Sequence, residues 1–113
     1  IKRILTFNDK PLILDFIKVP AVSFRGLTAE KVIEKKGSMY RMYETDFATQ
    51  MLHADEKIKA VKANKESSSI LNISEGTPLL SVERLSYTYD DKPIEWRLGL
   101  CVTLNHYYKT ELE

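Results

Sequence analysis

Residues 79–104, LLSVERLSYTYDDKPIEWRLGLCVTL, carry the pattern that decides the fold. Apolar and polar residues alternate from Leu79 to Tyr89, the turn formers Asp90-Asp91-Lys92-Pro93 follow, and alternation resumes from Ile94 to Leu104. A two-residue period on both sides of such a cluster predicts two antiparallel strands joined as a hairpin. Residues 1–19, IKRILTFNDKPLILDFIKV, repeat the unit: a strand from Ile1 to Phe7, the turn Asn8-Asp9-Lys10-Pro11, and a strand from Leu12 to Val19 that Pro20 ends. Each copy places an arginine, Arg3 or Arg84, ahead of an Asp-Lys-Pro turn. Two copies are too few for a solenoid. They imply a pseudo-symmetric antiparallel sheet in an α+β fold, with helices on one side of it or at its ends.

The chain between the copies supplies those helices. Thr28 can cap a helix over Ala29 to Lys36, with Gly37 as its left-handed stop. Ser38 can cap a second helix, in which Met39, Tyr43 and Phe47 stand four apart with Met42 beside them, one apolar stripe facing a core, and Tyr40 on its flank. From Gln50 to Ala63, Leu52, Ala54, Ile58 and Ala60 alternate with His53, Asp55, Lys57 and Lys59, as in a long half-buried strand. Asn64 caps a short helix reaching about Leu71, and Asn72 to Pro78 is a connection.

At 113 residues, 43% hydrophobic and 29% charged, the chain suits one globular domain with a single core. It opens on Ile1 inside an apolar-alternating run, so it is expected to be part of a longer protein, lacking an N-terminal portion. A net charge of +1, with basic and acidic residues interleaved, argues against a phosphate-gripping stripe in this piece. The single cysteine, Cys101, leaves no internal disulfide or zinc cluster and suits a reducing, cytoplasmic setting. No apolar run reaches the roughly 18 residues of a spanning helix. Catalytic motifs are scarce: Cys101 has no His-Asn arrangement nearby, His53 and His106 lack metal-ligand spacing, and there is no phosphate-cradling glycine loop. No enzyme activity, metal or cofactor is expected.

The informative residues are charges that disagree with the strand period. Arg3 shares a face with Ile1, Leu5 and Phe7; Asp15 with Ile13, Ile17 and Val19; Arg84 follows Leu80 and Val82; Glu56 falls between Ala54 and Ile58. An unpaired buried charge costs on the order of several kcal/mol, so such residues pair with one another or serve a polar ligand. Internal ion pairs would explain any one of them, but two arginines and two acids on the inside of a small sheet look like a pocket. Arginines would clamp a phosphate or carboxylate, and acids would accept from hydroxyls or an amine. Glu95 has a different environment, alternating with Arg97, Gly99 and Cys101, while Ile94, Trp96, Leu98, Leu100, Val102 and Leu104 form an apolar row. Trp96 reads as core or interface. Ser38 could hold an anion at its helix start or simply cap it.

With these residues in view, the chain resembles the effector-binding (UTRA) domain of GntR-type transcriptional regulators of the HutC subfamily. The resemblance rests on the run from Ser74-Glu75-Gly76-Thr77-Pro78-Leu79 through Val82-Glu83-Arg84 to Tyr87, on Lys92-Pro93-Ile94-Glu95, on Ser38-Met39-Tyr40, and on Ala54-Asp55-Glu56-Lys57-Ile58-Lys59-Ala60. It implies a chorismate-lyase-like sheet with helices, a homodimer, and an upstream winged helix-turn-helix that binds operator DNA. It also implies a small-molecule effector of the kind such proteins take: sugar phosphates, amino-acid derivatives or other small organic acids. By position it sets Arg3, Asp15, Ser38, Tyr40, Arg84 and Glu95 around the effector, with Arg3 and Ser38 as anion contacts. The chain departs from the family where Leu5 replaces a second arginine, Leu100 and Cys101 replace a tyrosine pair, and the pattern over Val102 to Tyr108 is poorly kept. Two further readings stay open: a chorismate-lyase-like enzyme with Arg3 and Arg84 on carboxylates and Glu95 as acid or base, or a pure dimerisation module using the Ile94 to Leu104 row.

Overall fold

The structure, a computed structural model, describes residues 1–34 and 39–112. Its elements are β1 (Lys2–Phe7), β2 (Lys10–Lys18), α1 (Ala29–Glu34), α2 (Met39–Phe47), β3 (His53–Lys62), α3 (Lys65–Leu71), β4 (Pro78–Tyr87) and β5 (Pro93–Val102). The strands form one antiparallel sheet in the order β1-β2-β5-β4-β3. The expected end of the first helix at Lys36, its Gly37 stop and the Ser38 cap lie outside the described residues.

The repeated unit is a repeated structure. Advancing the outgoing strand by 81 residues and the return strand by 82 turns Lys2–Phe16 into Glu83–Leu98, Arg3–Asp15 into Arg84–Arg97, and Thr6–Pro11 into Tyr87–Pro93. A register shift falls at the matching place in each copy, Leu5/Thr6 and Ser86/Tyr87. The one-residue difference between the offsets sits in the loops. Asn8 and Asp9 alone turn the first hairpin, both at positive φ (51° and 62°), which Asn and Asp tolerate better than most residues. In the second, Thr88 N donates to Lys92 O across the short 3-10 turn Tyr89–Asp91. As a result β2 begins at Lys10, inside the expected turn, β4 stops at Tyr87 rather than Tyr89, and β5 ends at Val102 rather than Leu104. The two return strands pair with each other, Phe16 opposite Leu98, the residues that the repeat makes equivalent. A pseudo-two-fold therefore passes through the middle of the sheet.

Where the pattern put the helices on one side, they divide between the two faces. Met39, Met42 and Tyr43 of α2 pack with Phe24, Ile17 and Ile94, and Val32 of α1 joins their margin. Ile94 is the extra residue of the second bulge, a position that re-aims a side chain. On the opposite face, Leu71 of α3 packs with Leu14, Leu79, Ala63 and Val102. The expected half-buried strand starts at His53 rather than Gln50 and is exposed except at the part-buried Val61. As the last strand of the sheet, β3 has one neighbour, and its lysines are of the kind that blunt an edge.

Local chemistry sets α3. Asn64 Oδ1 accepts from Ser67 N at 2.8 Å while Asn64 N donates back to Ser67 Oγ at 2.9 Å, a reciprocal capping box, and Asn72 closes the helix with φ 56°. Replacing Asn64→Ala is expected to lower stability by about 1 kcal/mol with an unchanged denaturant slope, measured by urea unfolding.

Candidate functional site

The registers Arg3–Asp15, Asp15–Gly99, Arg84–Arg97, Glu56–Arg84 and Ser86–Glu95 put all six of these charged side chains on one face of the sheet. Glu95 shares that face, so its surroundings are not separate from those of the other charges. Tyr40 reaches the cluster from α2. Ser38 lies outside the described residues.

The cluster has three ion pairs. Arg3 Nε donates to Asp15 Oδ2 at 3.0 Å across β1 and β2; the Asp15 side chain is 6% exposed. Arg84 donates through Nε and Nη2 to Glu56 Oε2, at 3.0 and 2.9 Å, across β4 and β3. Arg97 Nη2 donates to Glu95 Oε2 at 3.0 Å, and the Glu95 side chain has no exposure. Tyr43 donates to the same Oε2 at 2.6 Å, and Tyr40 to Oε1 at 3.2 Å. The Tyr40 hydroxyl in turn accepts from Arg84 Nη1 at 3.0 Å and stands 3.4 Å from Ser86 Oγ. Arg84 and Arg97 lie directly opposite each other, an arrangement that repels unless acids and hydroxyls neutralise it.

The segment after β5 crosses this face. Tyr108 donates to Glu56, and His106 packs edge-on against Phe7 with ring centroids 5.4 Å apart. Beneath it lies a slot of about 110 Å³ lined by Ile13, Leu80, Cys101, His106, Tyr107 and Tyr108. Burial pushes the Cys101 thiol up, and nearby Asp15 adds to the effect, so a reactive thiolate is disfavoured. For Glu56, burial would raise the carboxyl, but the hydrogen bonds from Tyr108 and Arg84 outweigh it and hold it below its ordinary value. A larger hollow of about 410 Å³ lies between Lys57, Lys59, Glu83, Leu98 and Leu100. It is the poorer candidate, because Lys57 and Lys59 are exposed and Glu83 is already taken by Trp96 Nε1 at 2.9 Å. Trp96 itself is part-buried, with Lys18 over its ring.

Arg3, Asp15, Tyr40, Glu56, Arg84 and Glu95 thus lie in one array of pairs and hydrogen bonds on one face, although the Arg3–Asp15 pair stands apart from the rest. Sequence reasoning missed Arg97, Tyr43, Ser86 and Tyr108 as members. Arg97 carries the strongest signal, since it alternates with Glu95 on the same strand. By its spacing Tyr43 belongs to the apolar stripe, which its ring does join; its hydroxyl is the polar tip of an otherwise apolar side chain. Among the described residues no His, Cys, Asp and Glu group is placed to hold a metal ion, and no helix is long and apolar enough to cross a membrane.

The five-stranded antiparallel sheet with its helices has the chorismate-lyase-like architecture of bacterial ligand-binding regulatory domains. A family model for the UTRA domain matches residues 1–106, and the chain belongs to that family, the ligand-binding regulatory domain of GntR-family transcriptional regulators. It is 30% identical over 98 residues to the HTH-type transcriptional regulator Rv0792c of Mycobacterium tuberculosis, covering 84% of this chain and 36% of that protein. It is 27% identical over 103 residues to the uncharacterized HTH-type transcriptional regulator YurK of Bacillus subtilis, covering 91% of this chain and 42% of that protein. The chain therefore spans well under half the length of these relatives. Among solved structures it superposes with a TM-score of 0.91 and 40% identity on the ligand-binding domain assigned to a GntR-family regulator of Bordetella bronchiseptica, over 99% of this chain and 70% of that one.

Burial, reinforced by the Glu95 charge, holds the Tyr43 phenol well above the usual tyrosine range. A proton held more tightly in the folded than the unfolded chain stabilises fully below the unfolded pKa, and that contribution is lost as pH rises above it. Stability is expected to fall as pH climbs past about 10, where unfolded-state tyrosine ionises, and Tyr43→Phe should flatten that slope in alkaline melting curves. Removing the acceptor is more costly: Glu95→Ala leaves Arg97 without its carboxylate and should cost about 3–5 kcal/mol in the same assay at neutral pH.

Proposed function

We propose that the chain is the effector-sensing and dimerisation domain of a bacterial regulator of the HutC subfamily, acting in the cytoplasm. In this reading a small anionic or hydroxylated metabolite, a sugar phosphate or small organic acid, binds on the charged face. Arg3 and Ser38 meet its anionic group; Asp15 and Glu56 take hydroxyl or amine protons; Tyr40 and Arg84, with Glu95 behind them, complete the wall. The ligand shifts a two-state arrangement that a winged helix-turn-helix in the rest of the protein reads as a change in operator affinity. No cofactor or metal is needed. The single observation that carries the reading is the array of six charged side chains on one face of a domain whose relatives are transcriptional regulators.

Catalysis on the same scaffold is the weaker reading, because the Glu95 carboxylate is closed to solvent and already accepts from Tyr40, Tyr43 and Arg97. A metabolite screen by thermal shift on the full-length regulator should yield a stabilising ligand whose effect Arg3→Ala abolishes, along with induction of a reporter. An empty screen together with an Arg3→Ala regulator that represses and responds normally would sink the proposal.

A further inference from the structure

Each arginine on the charged face already has an acid: Arg3 has Asp15, Arg84 has Glu56, and Arg97 has Glu95. Three cations face three anions, so the array is close to neutral. Two of the acids, Asp15 and Glu95, are 4% and 1% exposed. A doubly charged anion could capture one of these arginines only by leaving a buried carboxylate without its partner, or by adding its own charge beside three others. A ligand whose charges cancel imposes neither cost.

Several polar atoms of the array have no protein partner among the described residues, and two of them, Asp15 Oδ1 and Arg97 Nε, belong to neighbouring rows. Asp15 Oδ2 is taken by Arg3, but Oδ1 accepts no side-chain hydrogen bond among the described residues. Oδ1 lies over Gly99, 2.9 Å from where any other residue would carry its Cβ, so the glycine makes room for it. Arg97 Nε is buried and has no acceptor among the described residues. The open acceptor and open donor belong to successive same-face rows, since Asp15 pairs with Gly99 and Ile17 with Arg97. On the other side of Asp15 the next row, Ile13 and Cys101, enters the apolar slot beneath His106, Tyr107 and Tyr108.

We infer that the charged face and the slot beside it select a compound of zero net charge that joins an ammonium and a carboxylate to an apolar body, with the ammonium on Asp15 Oδ1, the carboxylate at Arg97 and the body in the slot beside Ile13 and Cys101. The inference rests on the sensor reading above and narrows its ligand, setting phosphate esters aside. The Tyr40 ring, 5.5 Å from the Arg97 guanidinium carbon, covers that end, so binding there requires α2 to shift for the carboxylate to reach it.

Titration calorimetry on the 113-residue chain tests it, with L-leucine and L-phenylalanine as zwitterionic probes. Their amine-free counterparts (isocaproate, hydrocinnamate), carboxylate-free counterparts (isoamylamine, phenethylamine) and glycerol phosphate serve as comparisons. The zwitterions are expected to bind at least about tenfold more tightly than either counterpart, the scale of one charge-assisted hydrogen bond, and glycerol phosphate to give no heat. Gly99→Ala keeps every charge but crowds Asp15 Oδ1, and should weaken the zwitterions by about tenfold with little change in circular dichroism. If that variant does not fold, the ligand series on the unmodified chain still decides. Equal binding of a one-charge counterpart, or tighter binding of glycerol phosphate, overturns the inference and leaves the sensor reading standing. If no probe binds, the screen on the full-length regulator decides: a zero-charge hit upholds the inference, a charged hit overturns it alone, and an empty screen removes the sensor reading with it.

Discussion

A carboxylate with no exposure to water has to be surrounded by donors before the chain can settle, and Glu95 sets that condition here. Its two oxygens accept from Tyr40, Tyr43 and Arg97. Two of those donors belong to α2 and one to β5, so satisfying the charge also docks the helix on the sheet. The apolar partners of α2, Phe24, Ile17 and Ile94, turn its apolar stripe toward the sheet but leave its finer placement loose, because burial is not directional. The direction of the hydroxyls supplies it. The face of the sheet is therefore organised around one buried charge, with the apolar core arranged beside it.

The pseudo-two-fold shows why the array is lopsided. In the first hairpin Arg3 faces Asp15, and the pair is self-sufficient. The equivalent pair in the second hairpin is Arg84 and Arg97, two cations opposite each other. Neutralising them takes two acids from elsewhere: Glu95, at the position equivalent to Ile13 in the first copy, and Glu56, on a strand that has no counterpart there. The extra strand β3 thus does more than extend the sheet, since it carries the counter-ion for Arg84. The edge exposure of that strand is compatible with this role. Glu56 needs only to reach one neighbouring strand, and the hydrogen bonds from Arg84 and Tyr108 outweigh the burial that opposes its charge.

Much of this is legible in the sequence. The duplicated strand-turn-strand pattern predicts the two hairpins because side-chain period and turn chemistry are local properties. The same period puts Arg3, Asp15, Glu56 and Arg84 on faces where a charge must find a partner or a ligand. Less accessible were the features that depend on tertiary neighbours. The burial of β3 follows from its place in the strand order, and its alternation is the same whether it sits in the centre or at the edge. Glu95 looked separate because its strand neighbours, Arg97, Gly99 and Cys101, are not a conventional core row; only the register with Ser86 and Arg84 brings it to the common face. The division of helices between faces is likewise a matter of which side each connection crosses, and composition does not encode it. Tyr43 was legible as a core ring but not as a donor, since a tyrosine on an apolar stripe announces its ring and hides its hydroxyl.

The connection between the charged face and the helix runs through Tyr40. Its hydroxyl accepts from Arg84, donates to Glu95 and stands beside Ser86, while its ring lies over Arg97. One side chain of α2 thereby reads the state of two arginines and one acid on two strands. A group that competes for Arg84, Glu95 or Arg97 changes the best position of that hydroxyl, and Glu95 Oε1 accepts from no other side chain among the described residues. Tyr43, one turn along, holds Glu95 from the same helix, so a displacement at Tyr40 is resisted rather than absorbed. A helix pinned to a buried charge at two points moves as a unit or not at all, which is the property a two-state element requires.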